Sequence, residues 1–503
     1  MPGRLGIGVV ANDWGDAMSQ TLAAVRARTG HLDPMLAVGL DCGRDGAVAE
    51  LRAAGVAVVT GTSAGDAWNR NRVLFLLGAM LGCDVVIVLT AGFIPAGDGW
   101  EADLIAAARR DGHAGDAAGG CMAVSAEALA FGGYLDLRLP EGRATAEHAA
   151  RLLDPVGDGL ATEPDPQPPA TPIGHGVSIA APPTVRFGPA SPPAPVFVPP
   201  WRSEPEFMAF RAEINESRRY LPAAPAPLRL GIGVITCNRR DTLAATLARV
   251  RAHTAHPGAT LLVADDGSTD GTVAMLQAEG TPVVTGRTTG VAWNKNRALF
   301  TLTAVLACDV VILLEDDVFP LHDGWEQGWL QAVQRHGHVN IAGDWFRGAF
   351  LSGAGTPDDP IVSKSVSAQC SAFTREALLF GGYMDSRFRG YGFEHVEHTR
   401  RLIRLGYGGA QRVLNGESRP VFTLISGGVG FAPSESFRTE AQVTRNERLC
   451  QVLVNQRGYR APWRTVAELA QFREEIRAAR SAIPGGAAWP ERPGHAQKMP
   501  PQA

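Results

Sequence analysis

The chain repeats itself, and no other property of the sequence limits its fold as sharply. Arg4-Leu-Gly-Ile-Gly-Val-Val returns as Arg229-Leu-Gly-Ile-Gly-Val-Ile. Gly61–Trp100 and Gly286–Trp325 align without a gap at a shift of 225, with 22 of 40 positions identical. Trp68/Trp293, Asn69/Asn294, Asn71/Asn296, Arg72/Arg297 and Cys83/Cys308 are among the matched pairs. The match resumes at Cys121/Cys370 and at Phe131-Gly-Gly-Tyr/Phe380-Gly-Gly-Tyr with a shift of 249, so the second copy carries 24 extra residues between Trp325 and Cys370. Pro200-Trp-Arg and Pro462-Trp-Arg each open a charged amphipathic stretch. A repeat of this length predicts two similar folded units in tandem.

The boundaries follow from composition. Residues 1–153 form the first copy, and 154–227 a Pro-rich linker ending in a repeat-terminal helix. The second copy occupies 228–425, a helical extension 426–484, and a disordered tail 485–503. Dense Pro, Ala and Gly after Asp154 exclude continuous helix or central strand there. With 503 residues, 45% hydrophobic and 19% charged, the chain can build two ordinary cores. A net charge of -4 argues against a broad phosphate-backbone interface and so against nucleic acid as partner. No apolar run reaches the ~18 residues that span a bilayer, and the start at Met1-Pro-Gly-Arg lacks a signal-peptide pattern, so a cytoplasmic protein is expected. Seven cysteines without a Cys-x-x-Cys pair suit a reducing compartment.

Within each copy, short apolar runs such as Leu230–Ile235, Thr260–Ala264 and Val310–Leu314 alternate with helical stretches such as Thr242–Thr254 and Asn294–Ala307. That alternation predicts an α/β fold, a mostly parallel sheet with helices on both faces and ligands at the carboxyl ends of the strands. In the second copy, acids collect at those ends: Asp265-Asp266-Gly-Ser after one run, Glu315-Asp316-Asp317 after another. Ser268 and Asp270 also suit the capping of a following helix. Three consecutive carboxylates after a buried strand are costly unless a cation offsets them. A hard ion, Mn2+ or Mg2+, shared with substrate phosphates would do so.

With Thr236-Cys-Asn-Arg, Asp265-Asp266-Gly-Ser, Asn294-Lys-Asn-Arg and Glu315-Asp-Asp in this order, residues 228–425 resemble the family 2 glycosyltransferases of GT-A fold. The resemblance implies two Rossmann-like GT-A domains in tandem, the second an inverting transferase using a nucleotide sugar, a UDP-sugar first, and a glycan or other hydroxyl acceptor. It implies that Thr236 and Asp266 contact the base and Asp316 the ribose, with Asn238 and Arg239 in the opening motif. Lys295 and Arg297 would lie near the phosphates, and Asp317 would hold the metal. Asp344 and Trp345, in the segment unique to the second copy, would face sugar. The family's late Glu-Asp motif corresponds to Glu394-His395, so the base is Glu394 with His395 as partner, or the imidazole itself, or Glu394 while the imidazole ligates the metal. Glu397 and His398, one turn on, could buttress it, although an exposed Glu397–Arg401 pair is the simpler expectation.

At the matching positions the first copy has Thr90-Ala91-Gly92 in place of Glu315-Asp316-Asp317, and Thr145-Ala146 in place of Glu394-His395, which reads as a fold kept after its chemistry was lost. Two other functions compete. A sugar nucleotidyltransferase would need a Gly- and Lys-rich phosphate loop that Gly231-Ile-Gly233 does not open. A non-catalytic carbohydrate-binding scaffold of two pseudo-enzymes accounts for the first copy but leaves the acids of the second without a purpose.

Overall fold

The structure is a computed structural model, and it describes residues 4–153, 197–218 and 228–480 apart from 43–44, 62–64, 116–119, 140, 434–438, 454–455 and 457. The expected tail after Pro484 and most of the Pro-rich linker lie outside the described residues.

Six strands of the first half form one sheet: β1 (Leu5–Asp13), β2 (Met35–Cys42), β3 (Ala57–Thr60), β4 (Val85–Thr90), β5 (His113–Gly115) and β6 (Cys121–Ser125), in the order β3-β2-β1-β4-β6-β5. The second half adds β7 (Leu230–Thr236), β8 (Thr260–Asp265), β9 (Val283–Thr285), β10 (Val310–Glu315), β11 (Val318–Pro320), β12 (His338–Ile341), β13 (Phe350–Ser352), β14 (Ile361–Ser363), β15 (Cys370–Thr374), β16 (Gly409–Leu414), β17 (Glu417–Ile425) and β18 (Val429–Phe431). Its main sheet runs β13-β14-β17-β12-β15-β10-β7-β8-β9, so the stretch β9-β8-β7-β10-β15-β12 has the same order as the whole first sheet.

The expectation of a mostly parallel sheet holds in the first half, where β3, β2, β1 and β4 pair parallel, and needs correction in the second. Parallel pairing joins β9, β8, β7 and β10. Beyond them β15 is antiparallel to both β10 and β12, and β14 and β16 are antiparallel to β17. The parallel nucleus has crossover helices and is buried on both faces, as its unbroken Val/Ile/Leu runs require. Among the outer strands, short hairpins join β13 to β14 and β16 to β17 and so pair them antiparallel; β15 runs antiparallel to β10 as β6 does to β4, and β12 pairs parallel with β17. The sequence also misplaced Val429–Phe431, expected in a helical extension, which pairs with β11.

The repeat-terminal helices Glu204–Arg218 and Val466–Arg480 lie beside β3 and β9 respectively. The predicted helix Asn294–Ala307 is α-helical over Val291–Phe300 and continues as a π-helix over Thr301–Val305; its counterpart, Asp66–Leu74, continues as one over Phe75–Met80. Gly233 lets Val291–Phe300 approach β7, since a Cβ there would stand 3.3 Å from the Ala298 Cβ. Hydrophobic packing runs through both halves. Phe131 belongs to the core of the second half and Phe380, at the matching position, to that of the first.

Candidate active site

Register fixes the site. Thr236 of β7 pairs with Asp265 of β8, and Ile235 with Glu315 of β10, so three strands deliver their polar termini to one edge. Asp316 and Asp317 follow at once, and both are buried. Burial pushes the Asp316 carboxyl up to about 6, against the hydrogen bond from Thr236 and the charge of Arg239. Arg239 Nη1 donates to Asp316 Oδ1 at 3.0 Å and to Asp317 Oδ2 at 3.3 Å. The Thr236 hydroxyl donates to Asp316 Oδ2 at 2.7 Å.

A second cation serves the neighbouring acids. Lys295 Nζ is buried 3.3 Å from both Glu315 Oε1 and Glu394 Oε1. Burial would lower the Lys295 pKa, but the two carboxylates raise it instead, so the ammonium persists. Burial likewise opposes ionisation of Glu394, yet Lys295 and His395 carry its carboxyl well below the usual range. Glu394 Oε1 also stands 3.3 Å from His395 Nδ1, and the imidazole is partly exposed. Gly290 makes this meeting possible. It adopts φ +113, its Cβ would stand 2.4 Å from the Gly390 nitrogen, and Gly290 and Gly390 form a parallel bridge. That bridge seats the start of the Lys295 helix against the loop before Glu394. Phe393, immediately before the helix Glu394–Arg404, is left-handed at φ 67, a strained conformation for a bulky residue of the kind that clusters at functional sites.

Several expected ligand contacts turn out to be framework. Arg297 is fully buried, donates to Asp266 Oδ1 at 3.0 Å and forms an ion pair with Glu475 at 2.9 Å. It presents no surface to a phosphate, which corrects its expected place. Lys295 is equally enclosed, so it acts on the acids rather than on a phosphate. The Asp266 carboxylate accepts from the backbone N–H of Thr289 and Gly290 as well as from Arg297. It organises the loop before the Lys295 helix, and Thr236 spends its hydroxyl on Asp316. Asn238, left-handed at φ 51, accepts from the Thr269 N–H at 2.7 Å, while its own N–H donates to Ser268 Oγ. It ties two loops together beneath Arg239. The Glu397–Arg401 pair is present at 3.1 Å but buried, not exposed, and His398 Nε2 lies 2.9 Å from the Gly382 carbonyl oxygen.

Asp265, named in the sequence only as part of the acid cluster, and Phe431, which the sequence did not single out, also lie at the site. Asp265 Oδ2 accepts from Gly267, Ser268 and Thr285, while Oδ1 is buried with no hydrogen-bond donor. Phe431 meets Trp345 edge to face at 5.1 Å, and the Ala432 N–H donates to the Asp317 carbonyl at 2.8 Å, so this half-exposed aromatic pair borders the acids. Phe431 lies outside the aligned motifs; its pairing with Val318, next to Asp317, and the hydrogen bond from Ala432 bring it here. Asp344 opens the 3-10 turn Asp344–Ala349; its side chain lies outside the described residues.

Among the described residues, the first half makes many of the framework contacts but none of these ionic ones. Arg72 pairs with Asp41 and Glu213, and Trp68 with Glu213, as Arg297 pairs with Asp266 and Glu475 and Trp293 with Glu475. Glu147, His148 and Arg151 repeat the contacts of Glu397, His398 and Arg401. Their shift is 250, not 249, so Ala144 and Thr145 stand opposite Glu394 and His395, a correction by one residue to the alignment. Arg239 and Asp316 correspond to Trp14 and Ala91, which pack against one apolar cluster. Lys295 corresponds to Arg70, which turns to Asp66 and Thr90.

Among the described residues no three His, Cys, Asp or Glu side chains gather as a metal-binding group. Asp317 supplies one hard carboxylate, with Asp316 and Glu315 adding negative charge. That donor set suits a Mn2+ or Mg2+ completed by phosphate oxygens and water, and not one caged by protein.

Comparison with solved structures gives two representative likenesses. The mannosyltransferase PcManGT from Pyrobaculum calidifontis, in complex with GDP-Man and Mn2+, is 16% identical, with 52% of this chain and 75% of that one covered at a TM-score of 0.32. Glucosyl-3-phosphoglycerate synthase from Mycobacterium tuberculosis, with Mn2+, UDP and glucosyl-3-phosphoglycerate, is 15% identical, covering 46% and 80% at a TM-score of 0.30. No curated protein sequence matches. The family model described as Glycosyl transferase family 2 matches residues 232–374, from β7 through β15.

Proposed function

We propose that the second half transfers a sugar, with inversion, from a nucleoside diphosphate sugar, a UDP-sugar first, to a hydroxyl on a glycan or comparable acceptor. The first half is a degenerate copy without chemistry of its own. The observation that carries this reading is the concerted loss. The acids, the Arg239 cation and the imidazole of the second half are replaced together by Trp14, Thr90, Ala91, Gly92, Ala144 and Thr145, and Lys295 by an Arg70 that turns to Asp66 and Thr90, while the surrounding framework contacts persist. A scaffold that only bound carbohydrate would have no reason to keep that set in one copy.

A divalent cation on Asp317 would offset the charge of the departing diphosphate. The chain's own groups do the rest. In the tautomer whose Nδ1–H donates to Glu394, Nε2, which lies 3.4 Å from the Val366 carbonyl oxygen, takes the acceptor's proton once the acceptor displaces that contact. Glu394, held ionised by Lys295, orients the ring and stabilises the imidazolium that forms. It is a poor base itself, because its proton affinity has been lowered. The acceptor oxygen then bonds to the anomeric carbon as the bond to the diphosphate oxygen breaks on the opposite face. Trp345 and Phe431, bordering Asp317, offer ring faces to the acceptor.

Asp317→Ala tests the reading: with Mn2+ and a UDP-sugar, transfer and slow donor hydrolysis should both disappear while the circular dichroism stays native. Wild-type activity in that variant would refute it.

A further inference from the structure

We propose that Arg239 holds the divalent cation's place in the resting protein and so makes metal binding depend on the diphosphate. This rests on the reading of Asp317 as the metal carboxylate. One nitrogen, Arg239 Nη1, lies between Asp316 Oδ1 at 3.0 Å and Asp317 Oδ2 at 3.3 Å, bridging two carboxylates as a small cation would. The side chain is 19% exposed, against 5% and 7% for its partners, so the guanidinium has an open side toward which it can turn. Its backbone is fixed: Asn238 is pinned to Ser268 and Thr269, and Arg239 caps the helix Arg240–His253. Only the side chain needs to move.

A bare divalent ion approaching Asp317 meets a positive charge already seated there. To enter, it must strip the guanidinium of charge-assisted hydrogen bonds that nothing replaces. A cation arriving with a diphosphate brings phosphoryl oxygens that accept from the displaced guanidinium, a group whose fork suits phosphate. The exchange then conserves both charge and hydrogen bonds. Binding linked in this way is reciprocal, so the metal should improve nucleotide binding by the same factor. The first half supports the pairing independently, because Trp14 and Ala91 replace Arg239 and Asp316 together.

The test is Mn2+ binding to the full-length protein, followed by the electron paramagnetic resonance of free Mn2+, with and without UDP. Wild type should bind Mn2+ weakly alone and on the order of tenfold more tightly with UDP. Arg239→Gln should bind Mn2+ alone on the order of tenfold more tightly than wild type and lose most of the enhancement. Arg239→Met, of similar reach and no charge, should behave alike. If both variants bind Mn2+ alone no better than wild type, or keep the full UDP enhancement, the exchange is overturned while the metal site stands. If Asp317→Asn binds Mn2+ as wild type does, the metal assignment itself falls.

Discussion

At the residue scale, the site is a balance of buried charge. Burial raises Asp316 from the ordinary carboxylate value of 3.8 to about 6. Between those values the folded protein holds a proton that the unfolded chain has released, so this residue's contribution to stability is full below the lower value and is lost as pH rises through the upper one. In metal-free buffer, Asp316→Asn should therefore gain on wild type in denaturant melts as pH rises from about 4 to about 6, by about 2 kcal/mol. A difference independent of pH would contradict the assigned shift. His395→Ala should lower turnover by about 10²–10⁴-fold with little change in donor affinity. Glu394→Gln should cost turnover as well, through loss of the oriented tautomer. A turnover defect confined to the Glu394 variant would reverse the two roles.

At the level of elements, the helix Val466–Arg480 reaches the site through Glu475, Arg297 and Asp266, and Glu204–Arg218 makes the same chain through Glu213, Arg72 and Asp41. Removing Glu475 or Glu213 leaves the buried arginine still paired with its aspartate and costs the lost charge-assisted hydrogen bonds, about 1.5–3 kcal/mol. Glu475→Ala and Glu213→Ala should each destabilise the protein by that order in urea titrations, but only Glu475→Ala should also weaken UDP binding, because Asp266 holds the Thr289–Gly290 loop. Equal loss of UDP binding in both would show that the effect is global. The sequence made these strands and helices readable through unbroken apolar runs and glycine spacing. It did not separate framework from chemistry: Arg297 and Asp266 sit in motifs shared with the acids, and only the burial of Arg297 against Glu475, 178 residues away, reveals their structural role. Asp316, Asp317 and the Glu394–His395 pair stood out in the sequence because they are polar groups where a buried strand or strained turn ends. The β18 strand and Phe431 did not, since a three-residue strand has no period to read.

At the scale of the whole molecule, the halves are interlocked. Phe131 stacks on Trp463 at 5.6 Å and meets Phe300 at 4.9 Å, while Phe380 meets Phe75 at 5.2 Å. Arg218 pairs with Glu376, and Arg480 with Glu127 at the matching positions. Each half therefore contributes aromatic side chains to the core of the other. Phe131→Ala should cost about 3–5 kcal/mol, and the two halves should melt in one transition whether followed by circular dichroism or tryptophan fluorescence. Separate transitions would show that the halves are independent.

The most direct measurement is a crystal structure of the full chain with Mn2+ and UDP, with anomalous scattering at the manganese edge. A peak on the Asp317 carboxylate bridged to the diphosphate, with Arg239 moved off the acids and no peak in the first half, is the predicted result. Manganese elsewhere, or Arg239 still seated between Asp316 and Asp317 with the nucleotide bound, would contradict it.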